Sequence, residues 1–245
     1  MKLDGNTILI TGGATGIGFS LAKRFAENNT VIICGRNEAM LQRAKDDVST
    51  LITYACDVAD VDSRRAMVKW LKSTHPDLNV VINNAGVQSQ RDFNSDPHMD
   101  SLDAEVAVNF TAPIHLIAEL LPSLKRQHKA YILNISSGLA YSPMADVPVY
   151  CATKAAIHSF TLSLRHQLKS SNIRVIEIAP PLVDTGLGGG TRSAGAASHM
   201  MMSADDFVSE TFAQLGAGKD EVLVGVSVKT RQMGDAMFEL MNTRN

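Results

Sequence analysis

What most restricts this chain is an alternation: a short run of apolar residues, a longer amphipathic stretch, then another apolar run. Seven runs read as strands: Thr7–Thr11, Thr30–Cys34, Leu51–Ala55, Val80–Asn83, Ala130–Ile135, Arg174–Ile178 and Glu221–Val224. Most are nearly continuous in apolar residues and do not alternate with polar ones, as strands buried on both faces of a parallel sheet do. Between them, Gly16–Asn28, Glu38–Ser49, Asp62–Ser73, Leu102–Gln127, Val149–Ser170 and Ala204–Leu215 read as helices. Asn37 precedes the second and is suited to cap it. Strand, helix and strand in repetition predict right-handed crossovers and a doubly wound parallel α/β sheet with helices on both faces. No linker or compositional break divides residues 1–245, so a single domain is expected. Residues 186–203 (GLGGGTRSAGAASHMMMS) differ in kind, being rich in Gly, Ala, Ser and Met. They read as a mobile substrate loop.

Composition narrows the function mainly by exclusion. A hydrophobic fraction of 45% with 20% charged residues supports a packed core and not a disordered chain. The formal net charge of -2 gives no long-range attraction to nucleic acid or an anionic membrane, so neither is expected as a partner. The opening MKLDGNTILITGG has an apolar run of only Ile8–Ile10, too short for a signal peptide or a span. The three cysteines, Cys34, Cys56 and Cys151, show no CxxC pairing, which fits reduced thiols in the cytoplasm. In a cytoplasmic chain the Asn-x-Ser/Thr triplets at Asn28, Asn109 and Asn134 are chance matches.

The first strand runs directly into Gly12-Gly13-Ala14-Thr15-Gly16-Ile17-Gly18, and a helix follows. Glycines here permit a tight turn and a close backbone approach, and a helix N-terminus offers free N–H groups and a positive dipole end to a pyrophosphate. The spacing is Gly-x-x-x-Gly-x-Gly, not the usual Gly-x-Gly-x-x-Gly. The second strand ends in Cys34-Gly35-Arg36-Asn37, where an acid would favour a free ribose 2′-hydroxyl and an arginine a 2′-phosphate. Arg36 therefore points to NADP(H), with NAD(H) still usable. Asp57-Val58 follows the third strand, where a carboxylate could accept from an adenine amino group. Asn83-Asn84-Ala85-Gly86 closes the fourth, with small residues that let a ligand ring approach.

Tyr150 and Lys154 stand four apart in YCATK, on one face of a helix. A phenol is a poor base near neutrality, and a nearby ammonium favours its phenolate, so such a pair can donate and accept a proton. TGGATGIG, NNAG, the Ser136-Ser137 pair and YCATK occur in the order and spacing of the short-chain dehydrogenase/reductase family, which the whole chain resembles. The wording VIICGRNEAML, INNAGVQ, NISSGLAYSPMADVPVYCATKAAIHSF and PPLVDT resembles more narrowly its DltE-type bacterial members.

That resemblance implies a Rossmann-like fold and hydride transfer between a nicotinamide cofactor and a carbonyl or secondary alcohol. It implies Tyr150 as general acid/base, Ser137 as hydrogen-bond donor to the carbonyl oxygen, Lys154 as binder of the ribose hydroxyls, and Asn109 as holder of a proton-relaying water. It places the cofactor against Gly12, Thr15, Gly16, Ile17, Gly18, Arg36, Asp57, Val58, Asn84, Ala85, Gly86, Tyr150, Lys154, Val183 and Thr185. Pro181 stands where the family usually has Gly. His158 and His166 show no metal-ligand spacing, and no metal is expected. Leu139, Met144 and Leu182 suggest an apolar ketone or alcohol as substrate. A homodimer or homotetramer is expected through the two long helices, where Ala112, Ile114, Leu116, Ala155 and Ala156 read equally as a subunit surface or a buried core face. Two other readings compete. A dinucleotide-sensing regulator without turnover is disfavoured by the intact Asn109, Ser137, Tyr150 and Lys154. A sugar-nucleotide epimerase or dehydratase would need a larger C-terminal substrate domain.

Overall fold

A computed structural model describes residues 1–95, 97, 99–187 and 201–243. Its strands are β1 (Thr7–Thr11), β2 (Thr30–Gly35), β3 (Ile52–Ala55), β4 (Val80–Asn83), β5 (Ala130–Ile135), β6 (Ile173–Ala179) and β7 (Glu221–Leu223). They form one parallel sheet in the order β3-β2-β1-β4-β5-β6-β7. The expected fold is the observed one. Its strand bounds agree with the sequence reading to within a residue or two.

The helices are α1 (Gly16–Phe25), α2 (Glu38–Asp47), α3 (Val61–Thr74), α4 (Leu102–Val106), α5 (Ala112–Leu124), α6 (Pro148–Leu168), α7 (Ala204–Gly216), α8 (Ser227–Met233) and α9 (Phe238–Asn242). Successive strand residues feed opposite layers. Ile8, Ile10, Val31 and Ile33 pack with Leu21, Phe25, Leu41 and Phe207 from α1, α2 and α7. Leu9 and Ile32 pack with Met67, Leu71, Leu116, Leu120 and Leu164 from α3, α5 and α6. Two apolar faces per strand explain why the sequence runs are continuous. Each Leu or Ile so buried contributes about 1.5–3 kcal/mol.

Helix ends follow local chemistry. The Asn37 side chain accepts from Met40 N–H at 3.0 Å, the cap foreseen for α2. Helix α1 stops three residues short of the expected Asn28, because the Asn29 amide takes the Phe25 and Leu3 carbonyls at 2.8 and 2.9 Å. The single helix expected over Leu102–Gln127 is instead α4, a π-turn over Ala107–Thr111, and α5. Pro113 accounts for the break: it has no N–H to give the carbonyl of Asn109, four residues earlier. Met99–Leu124 is long and apolar enough to cross a membrane by composition. Here it supplies Ala112, Leu116, Ile117, Leu120 and Leu124 to the core. Ala112 and Leu116 therefore cannot form the subunit surface suggested for them, whereas Ile114, Ala155 and Ala156 remain partly exposed. The three cysteines are free and buried.

Among the described residues one ion pair lies wholly inside. Arg91, after β4, pairs with Glu105 of α4, and both side chains are fully buried. Arg91 also donates to Ser101 Oγ at 2.9 Å, and its own N–H reaches the Asp146 carbonyl at 2.9 Å. The pair thus joins the β4–α4 connection to the segment that leads into α6. Glu105→Ala strands a buried guanidinium and should destabilise the protein by about 3–5 kcal/mol. Urea unfolding measures this, and a loss below about 1 kcal/mol would mean that Arg91 finds another partner.

Candidate active site

The carboxyl ends of β1 and β4 lie side by side at the point where strand order reverses, which is where open α/β sheets place ligands. The Asn84 amide donates to the Thr11 and Gly12 carbonyls at 2.9 and 3.1 Å. Thr11 Oγ1 in turn accepts from the Asn84 and Ala85 N–H groups, both at 3.0 Å. Gly12 has φ +63, and a Cβ there would stand 2.9 Å from the Ala85 Cα. A Cβ on Gly18 would collide with the Gly12 carbonyl oxygen and the Asn84 amide. Asn84 and Ala85, read from sequence as small residues beside a ring, thus also hold the glycine turn shut against β4.

Helix α1 begins at Gly16 with no side-chain cap from Thr15 and no acid in its first turn. Its first N–H groups and dipole end suit an anion, as a pyrophosphate requires. Thr185 lies against Gly16, its Cβ 3.2 Å from where a glycine Cβ would stand. The structure therefore brings Thr185 to the same turn as Gly12, Thr15, Ile17 and Gly18. Val183 pairs with Met202 in an isolated bridge, supported by Asp184 N–H to Met202 O and Met202 N–H to Leu182 O, each 2.9 Å. This bridge closes the base of the segment foreseen as a substrate loop, most of which lies outside the described residues. Pro181 packs against Gly225, 3.4 Å from the site of its missing Cβ.

Just past the end of β2 Arg36 is exposed, with open space where a Gly35 Cβ would be. Its guanidinium lies 4.0 Å from Asp57 Oδ2. Asp57 Oδ1 accepts from Ala59 N–H at 3.0 Å. The Val58 carbonyl is fixed by the buried Arg64 at 2.9 Å, and Arg64 pairs with Glu119 at 3.2 Å. Sequence reasoning missed this support, since it joins residues 55 positions apart.

Ser137, Tyr150, Lys154 and Asn109 are all buried, and Asn109 and Lys154 both lie against Gly86. Ser137 follows β5 and opens a 3-10 turn over Gly138–Ala140, where its Oγ accepts from Leu139 N–H at 3.1 Å. Pro148 starts α6, which puts Tyr150 in the first turn and Lys154 one turn on. Lys154 Nζ donates to the Ile135 carbonyl at 2.9 Å and lies 5.5 Å from the Tyr150 ring centroid. Full burial pushes the ammonium down from 10.5 to about 8. Asn109 sits in the π-turn. Its Oδ1 accepts from Val87 N–H at 2.8 Å, and its Nδ2 donates to Val87 O at 2.8 Å and Thr153 Oγ1 at 3.1 Å. The side-chain amide thus ties Val87 to Thr153. The surface beside Tyr150 is apolar: Val147 and Cys151 pack with it, and Leu139, Met144 and Leu187 lie against them.

A family model, short chain dehydrogenase, matches residues 6–195. The chain is 46% identical over 250 residues to an uncharacterized oxidoreductase, DltE, of Bacillus subtilis (strain 168), covering all of this chain and 99% of that protein. It is 32% identical over 178 residues to an NADP-dependent 3-hydroxy acid dehydrogenase, YdfG, of Salmonella typhi, covering 72% of each. A crystal structure of a short chain dehydrogenase/reductase from Burkholderia phymatum in complex with NAD superposes with a TM-score of 0.83 at 21% identity. That alignment covers 100% of this chain and 98% of the other.

Lys154 makes stability depend on pH in a defined direction. Between about 8 and 10.5 the unfolded chain holds a proton that the folded chain does not, so folding gains stability as pH rises through that window. Below about 8 the folded apoprotein carries the whole cost of the buried ammonium, about 3 kcal/mol. Relative to Lys154→Met, wild type should therefore be flat below pH 8 and gain stability from pH 8 to 10.5. Chemical denaturation at stepped pH tests this, and parallel curves for the two proteins would refute the buried charge.

Proposed function

The chain belongs to the short-chain dehydrogenase family, and from that premise we propose that it is an NAD(P)(H)-dependent oxidoreductase interconverting a carbonyl and a secondary alcohol, with Tyr150 as general acid/base. The observation that carries this reading is the buried Lys154 ammonium, held by the Ile135 carbonyl 5.5 Å from the Tyr150 ring. With its proton leaving at about 8, Lys154 stays mostly charged at neutral pH and favours the phenolate.

The residues present fit a dinucleotide: the N–H groups at the start of α1 have no side-chain cap and no acid beside them, and Gly12 and Gly18 let the turn that presents them close against β4. Gly12, Thr15, Gly16, Ile17 and Gly18 would hold the pyrophosphate, Asp57 and Val58 the adenine. Gly86, Lys154, Val183 and Thr185 would hold the nicotinamide half. When bound, the reduced cofactor supplies the hydride. Ser137 donates a hydrogen bond to the substrate oxygen and stabilises the negative charge that develops there. Tyr150 gives that oxygen its proton in reduction and takes it back in oxidation. Asn109 staples the β4–α4 connection to α6 through Val87 and Thr153. Its backbone carbonyl, deprived by Pro113 of the ordinary helical donor, is the group suited to hold a relay water.

The apolar surroundings of Tyr150 favour an apolar ketone or alcohol as substrate. Exposed Leu162 on α6 supports a homodimer or homotetramer through α5 and α6, and free buried cysteines suit a cytoplasmic protein. Tyr150→Phe should cut NADPH-dependent ketone reduction by at least about 100-fold while leaving NADPH binding unchanged. Absorbance assays over a ketone panel, with fluorescence titration of NADPH, test both. A Tyr150→Phe enzyme with near-normal turnover defeats the assignment.

Arg36 gives the cofactor preference. Its exposed pair with Asp57 is worth at most about 1 kcal/mol, so the guanidinium is readily surrendered to a ribose 2′-phosphate. Arg36→Ala should weaken NADPH by about tenfold to a hundredfold and NADH far less. Equal weakening of both in calorimetric titrations would make Arg36 a surface residue only.

A further inference from the structure

Strand β6 reads IRVIEIA, and the glutamate in this apolar run is wholly buried. Burying a carboxylate is costly, and a hydrophobic side chain of similar size would serve packing at least as well. The carboxylate has ordered partners on two sides. His158 Nδ1 lies 2.8 Å from Glu177 Oε2, and the Tyr141 hydroxyl donates to Glu177 Oε1 at 3.1 Å. Burial alone would push Glu177 up, but hydrogen bonds from His158, Ser136 and Tyr141 hold it below the usual carboxylate range. An ionised carboxylate only accepts, so Nδ1 of His158 carries the hydrogen.

Both partners belong to the elements that carry the reacting groups. Tyr141 ends the 3-10 turn that begins at Ser137, with its N–H on the Gly138 carbonyl at 3.2 Å. Its ring meets the His158 ring edge-on at 4.9 Å and lies under the Arg231 guanidinium at 5.1 Å. His158 stands one helical turn beyond Lys154 and two beyond Tyr150 on α6. Ser137 and Tyr150 stand thirteen positions apart in the chain, yet one side chain bridges their supports. We propose that Glu177 is a positioning residue: its buried carboxylate clamps Tyr141, behind the turn that carries Ser137, to His158, on the helix that carries Tyr150 and Lys154. This rests on the oxidoreductase reading for its consequence in turnover, but not for its structural content.

A metal site is the rival explanation, since ligand atoms of His158, Glu177 and Glu221 all lie within 4.8 Å of one another. The donors present argue against it. The Tyr141 hydroxyl stands between the two carboxylates, 3.1 Å from Glu177 and 3.5 Å from Glu221. Arg231 Nε takes the same Glu221 oxygen at 2.8 Å. The negative charge is thus already met by a phenol, an imidazole and a guanidinium.

The test uses His158→Leu, His158→Asn and Glu177→Gln in the full-length protein. Leucine removes the donor, whereas asparagine returns an N–H near the place of Nδ1. With NADPH and acetophenone, or the best ketone of a panel, His158→Leu and Glu177→Gln should lose kcat by about tenfold to a hundredfold, with KM and NADPH affinity within about threefold. His158→Asn should restore most of the loss. Independently of any substrate, hydrogen exchange at Gly138–Tyr141 should quicken in His158→Leu and Glu177→Gln, but not in His158→Asn. Unchanged exchange there, equal impairment of the two His158 variants, or loss of NADPH binding in step with kcat each overturns the clamp. Should Glu177→Gln fail to fold, the His158 pair decides. A wild type inert toward every ketone would defeat the oxidoreductase reading alone, and the exchange result would still decide the clamp.

Discussion

The seam between β1 and β4 is the contact on which the site depends. Four hydrogen bonds between Thr11, Gly12, Asn84 and Ala85 hold the ends of these strands together. They do so at backbone-to-backbone range, which the absence of a Cβ at Gly12 and Gly18 permits. From this seam the glycine turn leads into α1, and the other strand leads through Gly86 and Val87 to Asn109 and α6. A substitution that parted the two ends would displace together the glycine turn and the segment that leads to Asn109 and α6. Their relative placement is set by the sheet and not by loops.

Three buried charges have neighbouring groups that answer them. Arg91 has Glu105 and Ser101; Arg64 has Glu119 and the Val58 carbonyl; Glu177 has His158 and Tyr141. Lys154 differs: its hydrogen bond is to the neutral Ile135 carbonyl, and desolvation acts on it largely uncompensated. The paired ions sit around the site and the charge without an anionic partner sits within it. Pairs anchored on separate elements make a frame that resists rearrangement, and that frame sustains a strained charge at the centre. A lysine paired with a carboxylate would be more comfortable and less able to stabilise a phenolate.

The sequence made the sheet legible because each strand is apolar on both faces, and periodicity reports that directly. The Asn37 cap and the Tyr150–Lys154 face were legible for similar local reasons, as each depends on residues three or four apart. The π-turn at Asn109 was not foreseen, although Pro113 was its available signal; apolar spacing alone ran one helix through it. Helices α8 and α9 were missed because SVKTRQM has no apolar period and forms against the turn after Ser137, where Ser227 and Thr230 crowd Gly138. The partners of Arg91, Arg64 and Glu177 were invisible for another reason. Ion pairs between distant segments leave no local pattern, and the glutamate inside β6 was the one anomaly that pointed to such a partner.

These differences explain why the chemistry of this chain is easier to read than its substrate. The residues proposed to transfer the proton stand just after β5, in the π-turn and on α6, where rigid elements impose fixed spacings that survive as motifs. The apolar surface beside Tyr150 is assembled from Leu139 and Met144 in the stretch between Ser137 and α6, and from Leu187 beyond β6. The Val183–Met202 bridge anchors that last segment to the body of the protein without passing through Ser137, Tyr150 or Lys154. Reaction and specificity are therefore supported separately. Changes at Leu139, Met144 or Leu187 alter the surface beside Tyr150, while the Lys154–Ile135 contact and the β1–β4 seam continue to hold α6 and the glycine turn in place.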